Sequence, residues 1–537
     1  MKKLNIIILF LILTGFLNAQ YITHPQEYKL SKTPFKEYGI NQIDKKLTSI
    51  IANPNKSKYP ISNFIVRIFS VGDTVWFATG SGLMRTTDHF NTFDNYYEVA
   101  PFGTDDLSGF TVYKNLVVVA TATSEEISGE NIPVGTGIKV STDYGLSWNS
   151  FPQPMDGLND TSITYGNNHL HALAVVVPQQ NLSYDIEITR NKNDSNNYTI
   201  WLASWAGSIR KSTDYGNTWQ RVVLPPDELD SIIVSQTGYT FSVDVRTNYN
   251  HRAFSVKALN DSTLFVGTAN GINKSTDWGL SWRKYNHNTG GQVSGNFVVN
   301  LYIQRYSGKE IIWGATRFAE DENEKYAISY TTNYGINWAN TLVDVPPRNI
   351  SSKDSIVFAE SDNGLWRSYF GKFDWSKPGL IYDEVTKDQL KTSNFYSGTY
   401  INDTLYFGSG DGLCRTLENG QPWTAKWKIF RAMKVIDLNS DIKTYAAPNP
   451  FAPKNEVVRI FYKSGKATSK ITIKIFDFGM NPVRTVIQNA IRNSPEELFT
   501  IWDGKNNDGY QVANGVYFYR IEIDSDTPVW GKILVIQ

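Results

Sequence analysis

The sequence predicts an all-β protein, a seven-bladed β-propeller followed by an Ig-like β-sandwich, and three observations carry that prediction. One short phrase returns along the chain: "STDYGLSWN" from Ser141, "STDYGNTWQ" from Ser212, "STDWGLSWR" from Ser275 and "TTNYGINWA" from Thr331. Aromatic residues make up 14% of the chain, which favours strands because such side chains suit a pleated, half-buried surface. After Tyr445 the phrase stops, and short apolar strands separated by Gly, Asn and Asp turns run to the end of the chain.

Residues 1–19 read as a secretory signal peptide: Lys2-Lys3, an apolar run from Leu4 to Leu13, then the small Ala19 before Gln20. The mature chain is expected to begin at Gln20, with 20–59 as an N-terminal segment. No later run approaches the roughly 18 apolar residues that span a bilayer, so no transmembrane anchor is expected. Cys414 is the only cysteine, which leaves neither an intrachain disulfide nor an N-terminal lipid-carrying cysteine. The expected product is exported and soluble, secreted or on the bacterial cell surface, with the periplasm as the other destination. With 52 basic and 52 acidic residues the net attraction that drives nucleic-acid or anionic-membrane binding is missing, and no nucleic-acid function is expected.

Residues 60–436 hold the repeat. Each box follows a glycine-led strand such as "GLMRT" from Gly82, "GIKVS" from Gly137, "GINKS" from Gly271 or "GLCRT" from Gly412. Ahead of that lies a strand entered by an acidic turn, as in "GDTVWFATG" from Gly72 and "NDTLYFGSG" from Asn402. A further strand marked by Phe precedes it: "NFIVRIF" from Asn63, "NFVVNLY" from Asn296, "NFYSGTY" from Asn394. The unit is strand A, turn, strand B, loop, strand C, box, strand D. Aligning on the aromatic that closes the box gives Phe93, Trp148, Trp219, Trp282, Trp338, Trp375 and Trp423, and seven four-stranded units read as seven propeller blades.

Within the box the acid is expected to accept backbone N–H bonds in a tight turn. The glycine supplies a positive φ, and the aromatic seats between blades. Asp88, Asp143, Gly145, Trp148, Asp214, Gly216, Trp219, Asp277, Gly279, Trp282, Asn333, Gly335 and Trp338 are therefore expected to be structural. Two boxes are worn, with Phe370 and Glu418 at the acid's place, and a third keeps Asp88 but has Phe90 for the glycine.

These boxes resemble the Asp-box (BNR) family, whose S-x-D-x-G-x-[ST]-W pattern is met in full from Ser141, Ser212 and Ser275. The resemblance spans sialidases, xyloglucanase-type glycosidases, sortilin-type receptors and photosystem assembly factors, and implies that the boxes lie away from the functional face. A linker is expected over 437–446 and a separate domain over 447–537. That tail resembles the Ig-like domain of flagellar hook-capping proteins (FlgD-like) in "PNPF" from Pro448, "KIFDFGMNPVRTV" from Lys474, "WDGKNNDGYQVANGVYFYRI" from Trp502 and "GKILVIQ" from Gly531. Similar tails close many exported proteins of Bacteroidetes-like bacteria, so the resemblance implies a type IX secretion sorting or attachment role, with secretion machinery as a partner. Few contacts are expected to cross the linker, so a chain ending at Lys443 is expected to keep the propeller's melt.

Function is expected in loops at one end of the ring. With the boxes on the C to D turns, the B to C loops lie at the other end. Their insertions bring Glu125, Glu126, Glu130, Glu320, Asp321, Glu322 and Glu324 to a candidate binding face, together with Trp205, which reads either as a stacking platform for a protein or glycan ligand or, the reading favoured, as a residue of blade packing. No catalytic residue emerges. A sialidase needs an arginine cluster opened by R-I-P, and Arg67 in "VRIFS" lacks the proline. Glycoside hydrolysis needs two facing carboxylates, which xyloglucanase-type enzymes place between two propellers, whereas one is present here; Asp244 reads better as a salt-bridge partner. His169 and His171 alternate on a strand without a third ligand. No metal and no cofactor are expected. A non-catalytic binding scaffold leads, ahead of a glycoside hydrolase and an envelope assembly factor.

Overall fold

The computed structural model describes residues 49–536 apart from 128–129, 289–292, 320, 386–387, 433–442, 454–456 and 494–496. The signal-peptide reading and most of the 20–59 segment therefore lie outside the described residues. Within them the chain is all-β, a β-propeller followed by a two-sheet sandwich; seven antiparallel sheets carry the inner strands of the propeller, and a two-stranded hairpin of Ser162–Tyr165 and Asn168–His171 lies between the second and third in chain order. The innermost strands A are Ile65–Val71, Asp106–Tyr113, Ser183–Arg190, Ala253–Ala258, Phe297–Tyr306, Pro347–Lys353 and Phe395–Ile401. Strands B, C and D follow outward in chain order.

All seven inner strands slip register once, between Ile65 and Arg67 in the first blade and at the equivalent place in the others. Such a bulge bends the strand and re-aims the side chain beyond it. The residues so placed are Arg67, Gly109, Asp185, Ser255, Asn300, Asn349 and Ser397, opposite small residues of strand B (Ala78, Ala120, Ala203, Gly267, Ala315, Gly408) in every blade but one. The exception is Glu360 opposite Asn349.

An inner edge strand carries unpaired N–H groups that must be satisfied, and these same residues supply several partners. Asp185 Oδ2 accepts from Val256 N at 3.1 Å, Ser255 Oγ from Leu301 N at 3.0 Å, and Ser397 Oγ from Ile68 N at 3.1 Å, each bond joining one blade to the next. The last bond closes the ring between blades 7 and 1, assisted by Ser70 and Thr399, whose hydroxyl oxygens are 2.8 Å apart. A second clasp uses the Asn of the Asn-Phe pairs. Asn63 O accepts from Gly412 N at 2.6 Å and its Oδ1 from Ala432 N at 2.7 Å, while Asn296 holds Gly271 N and His287 N at 2.7 Å each. Between blades the faces are apolar, as where Val75, Phe77, Met84 and Phe93 of blade 1 meet Tyr406 and Leu413 of blade 7.

The box is a closed hydrogen-bond knot. Asp143 Oδ1 accepts from Ser147 N at 2.9 Å, Leu146 N at 3.1 Å and Ser141 Oγ at 2.7 Å, while Oδ2 accepts from Ser147 Oγ at 2.6 Å. Ser141 Oγ in turn accepts from Gly145 N at 2.8 Å, and Trp148 Nε1 donates to Gly145 O at 3.1 Å. Gly145 has φ +82°, and a Cβ there would sit 2.6 Å from Trp76 of the preceding blade, so both conformation and space require glycine. The knot recurs around Asp88, Asp214, Asp277 and Asn333. In the first box Phe90 takes the glycine's place at φ 69°, its ring stacked 4.6 Å from Tyr406. Burial alone would raise the Asp143 pKa; the bonds from Ser147, Ser141 and Leu146 outweigh it and hold the carboxyl below its ordinary value. Asp143→Ala, Asp214→Ala and Asp277→Ala are each expected to cost about 1–3 kcal/mol in lost turn hydrogen bonds, read as a lower denaturation midpoint; an unchanged midpoint would refute the clamp.

Several expectations change. Part of the 20–59 segment joins the ring: Asn55–Ser57 pairs with Phe93–Asn95 of blade 1, and Ile50–Ile51 pairs with the box-end strand of blade 2. The sixth sheet has three strands, not four, with a single bridge from Arg367 to Ser376 where strand D would run; Pro378 follows at once and has no N–H to extend a ladder. The worn seventh box redirects its acid: Glu418 is gripped by Arg367 of blade 6 through bonds of 3.1 and 3.0 Å.

The expected linker also shrinks, since Thr444–Ala447 is already a strand of the sandwich, paired with Val458–Lys463. The sandwich packs that sheet against a second one of Ser469–Phe476, Pro482–Arg492, Gly515–Ile523 and Val529–Val535, over a core that includes Ile460, Ile473, Trp502, Tyr519 and Ile533. Contrary to the sparse contact expected, a buried charge cluster joins the sandwich to the propeller. Arg459 of the sandwich and Arg431 at the end of blade 7 both bind Asp411, the second at 3.0 Å. Asp411 lies in the B to C turn of blade 7, where blade 4 has Asn270; there Asn286 donates to Asn270 at 2.9 Å, and blade 7 replaces that neutral pair with Arg431 and Asp411.

Candidate functional site in the propeller channel

Strands A and C run in the same direction, so the A to B turns share an end with the boxes. The cavity on the ring axis lies toward that end, because the residues lining it come from the middle and later parts of strands A: Arg67 to Ser70, Lys257, Asn300 to Tyr302, Asn349 to Ser352 and Ser397 to Tyr400. Its volume is about 220 Å³. Five blades contribute, and the slip-placed residues Arg67, Asn300, Asn349 and Ser397 are among its polar groups.

One wall is an ion cluster. Asp185 is fully buried; its Oδ1 receives Arg67 Nη1 at 2.9 Å and Lys257 Nζ at 2.9 Å, and its Oδ2 receives Lys257 Nζ at 2.8 Å and Ser255 Oγ at 2.7 Å. Burial would raise the Asp185 pKa, but Lys257 and Arg67 outweigh it and hold the carboxyl below its ordinary range. Glu187, next along the same face, accepts from Ile188 N at 2.9 Å and Ala258 N at 3.3 Å; burial raises its pKa against the pull of Lys257.

Behind the opposite wall stands Glu360. Its Oε1 accepts from Ser351 Oγ at 2.6 Å and its Oε2 is buried without a partner. Gly398 makes room, since a Cβ there would collide with Glu360 and Ser351. Burial pushes the Glu360 carboxyl up to about 8. A native pKa above the unfolded value means that the native state keeps a proton the unfolded chain has lost. This group's contribution is therefore most favourable below about pH 4.5 and is lost as pH rises to about 8, at about 1.4 kcal/mol per pH unit in between. Glu360→Gln is expected to gain on the parent as pH is raised from about 5 to about 8. Paired melts at the two pH values check this, and a constant difference would contradict it.

The residues expected at the B to C face are not assembled as a site. Trp205 is 3% exposed, packed with Leu182, Tyr184 and Phe254 under the Arg252 guanidinium, so it serves blade packing and offers no stacking platform. Glu324 is 6% exposed and is a structural clamp, accepting from Asn296 N and Ala319 N at 2.8 Å each. Glu320 lies outside the described residues. Asp321 and Glu322 are exposed, as are Glu125, Glu126 and Glu130, which sit on an extended hairpin of strands Leu116–Ile127 and Glu130–Ser141 in place of the expected loop. Asp244 chelates Arg246 at 2.7 Å. His169 and His171 are exposed on one strand face, His171 Nδ1 lying 3.1 Å from Ser242 Oγ. Among the described residues no group of three or more His, Cys, Asp or Glu is placed to hold a metal ion.

Missed from sequence were Asp185, Lys257, Asn300 and Glu360. None belongs to the repeat, and the signal that exposes them is a polar or charged residue within a strand whose counterparts in other blades are small or different.

Fold and cavity together define a β-propeller with a polar axial pocket. No family model matches the chain. Among curated proteins it is similar to xyloglucanase Xgh74A of Acetivibrio thermocellus, 26% identical over 305 residues; the match covers 53% of this chain but only 30% of that relative's length. Among solved structures it is similar to the GH74 enzyme of Niastella koreensis, with 12% identity, 91% of this chain and 74% of that chain covered and a TM-score of 0.46. It is also similar to PorZ, a surface component of the type-IX secretion system of Porphyromonas gingivalis, with 12% identity, 89% and 66% covered and a TM-score of 0.39. No helix among the described residues is long and apolar enough to cross a membrane.

Proposed function

We propose that the chain is an exported, non-catalytic propeller scaffold of the Asp-box type that binds a protein or glycan, and that its hook-capping-type Ig-like tail serves sorting or attachment. The observation that carries the non-catalytic reading is the chemistry of the cavity. No Asp or Glu is among its lining residues, and the nearby Asp185 is saturated by two cations, a hydroxyl and a backbone N–H. Glycoside hydrolysis needs two carboxyl groups facing the substrate. The similarity to Xgh74A favours the second reading, a glycoside hydrolase.

Incubating the full-length chain with xyloglucan and a panel of other polysaccharides, and measuring released reducing ends, separates the two. The scaffold reading expects no release above a heat-denatured control. Release that disappears with Asp244→Asn or Glu360→Gln would overturn it. Export is tested by fractionating cells that make residues 1–443: retention in the periplasm supports the sorting role of the tail, and normal surface display refutes it.

A further inference from the structure

We propose that the axial cavity binds one neutral, sugar-sized polyol, entered by the end of a glycan chain or by the free sugar. This deepens the scaffold reading and rests on it.

The size points to a single ring, since about 220 Å³ falls below the 300–1,000 Å³ usual for drug-sized ligands. Strands A surround the cavity, so a chain enters by its end and not by its middle. The lining chemistry points to hydroxyl groups. Asn300 and Asn349 bring amides, and Ser351, Ser397 and Thr399 bring hydroxyls. Amides and hydroxyls donate and accept alike, as a ligand with many OH groups requires.

Asn300 supplies the independent observation. It is 4% exposed and its Oδ1 is buried with no hydrogen-bond partner. Its counterparts Asp185, Ser255 and Ser397 each accept an edge N–H of the following blade, whereas the Asn300 oxygen performs no such structural task. An unsatisfied buried oxygen costs about 1–3 kcal/mol, and a ligand hydroxyl recovers that cost on binding. Tyr400, 41% exposed and lining the same cavity, offers an aromatic face to the C–H side of a sugar ring.

Charge argues for a neutral ligand. Arg67 and Lys257 already share Asp185, and Glu187 stands beside the same lysine. Two bases thus face two acids inside the wall, and an added anion would find no unmatched cation.

The test is isothermal titration of the full-length chain with methyl β-glucoside, xylose, N-acetylglucosamine, galacturonate and inorganic phosphate, and with a xylo-oligosaccharide to separate a chain end from a free sugar. One site per chain for at least one neutral sugar is expected, weakened at least tenfold by Asn300→Leu and at least threefold by Tyr400→Ala. The second substitution is at an exposed side chain and keeps the test open should the first disturb folding. No heat with any neutral sugar overturns the proposal while leaving the scaffold reading intact. Binding of galacturonate or phosphate alone overturns it in favour of an anion site, and binding unchanged in both variants moves the site elsewhere. Cleavage of the oligosaccharide during titration would instead overturn the scaffold reading.

Discussion

Asp411→Ala is expected to lower the stability of the whole chain by about 3–5 kcal/mol, because it leaves Arg459 charged, buried and unpaired. Arg459 is 0% exposed, and its Nε and Nη1 already lack partners, so Asp411 is its main compensation. Burial would raise the Asp411 pKa; Arg459 and Arg431 outweigh it and keep the carboxyl ionised well below the usual range. Removing the pair as a whole should be far milder, since buried ion pairs replaced by apolar groups are often neutral in stability. The double change Asp411→Asn with Arg459→Met is therefore expected to recover part of the loss, since it removes the Arg459 charge but leaves the buried Arg431 with only the introduced amide and the carbonyl oxygens of residue 411 and Gln389. Urea denaturation of the single and double variants checks this, and equal losses in both would show that the charge cluster is not what joins the two parts. The same cluster changes the outcome of truncation. A chain ending at Lys443 keeps Asp411 with Arg431 alone, and its propeller is expected to melt earlier than in the full chain.

Asp185→Ala is the second large effect, again about 3–5 kcal/mol, from breaking a buried pair. It deprives Arg67 and Lys257 of their shared partner and leaves Ser255 Oγ and Val256 N without an acceptor. Three blades lose their common anchor at once. Asp185→Asn keeps the shape and some of the hydrogen bonds, so it should lie between Ala and the parent. A series in which Ala and Asn are both neutral in denaturation would mean that the cluster does not hold the inner strands.

The ring was legible because its devices repeat. An acid, a glycine and an aromatic at fixed spacing return wherever strand C turns into strand D, and a turn that needs backbone acceptors and a positive φ leaves few other residue choices. The Asn-Phe pairs at Asn63 and Asn296 are equally repetitive but read in sequence only as strand markers, although the Asn side chain is the clasp to the preceding blade. The channel was not legible. Asp185, Lys257 and Asn300 each occur once, and their meeting depends on a register slip that no residue type announces. Glu324 was misplaced, whereas of the two readings of Trp205 the packing one holds. A glutamate in a polar loop reads as solvated, yet here the loop folds its own N–H groups onto it. The tryptophan is covered by Arg252 and neighbouring blades. Nothing local ties Asp411 to Arg459, which are 48 positions apart, so the docking of the tail was invisible until the fold brought them together.

The central claim is that the boxes build the ring while the binding chemistry sits in the channel at the box end. Backbone hydrogen exchange of the full-length chain, with and without saturating methyl β-glucoside or whichever neutral sugar titrates most strongly, tests it most directly. The expected result is added protection at residues 67–70, 300–302, 349–352 and 397–400, with the box at 141–148 unchanged. Protection confined to the hairpin around 125–131 or the loop at 321–326 would contradict the account and restore the opposite face as the site.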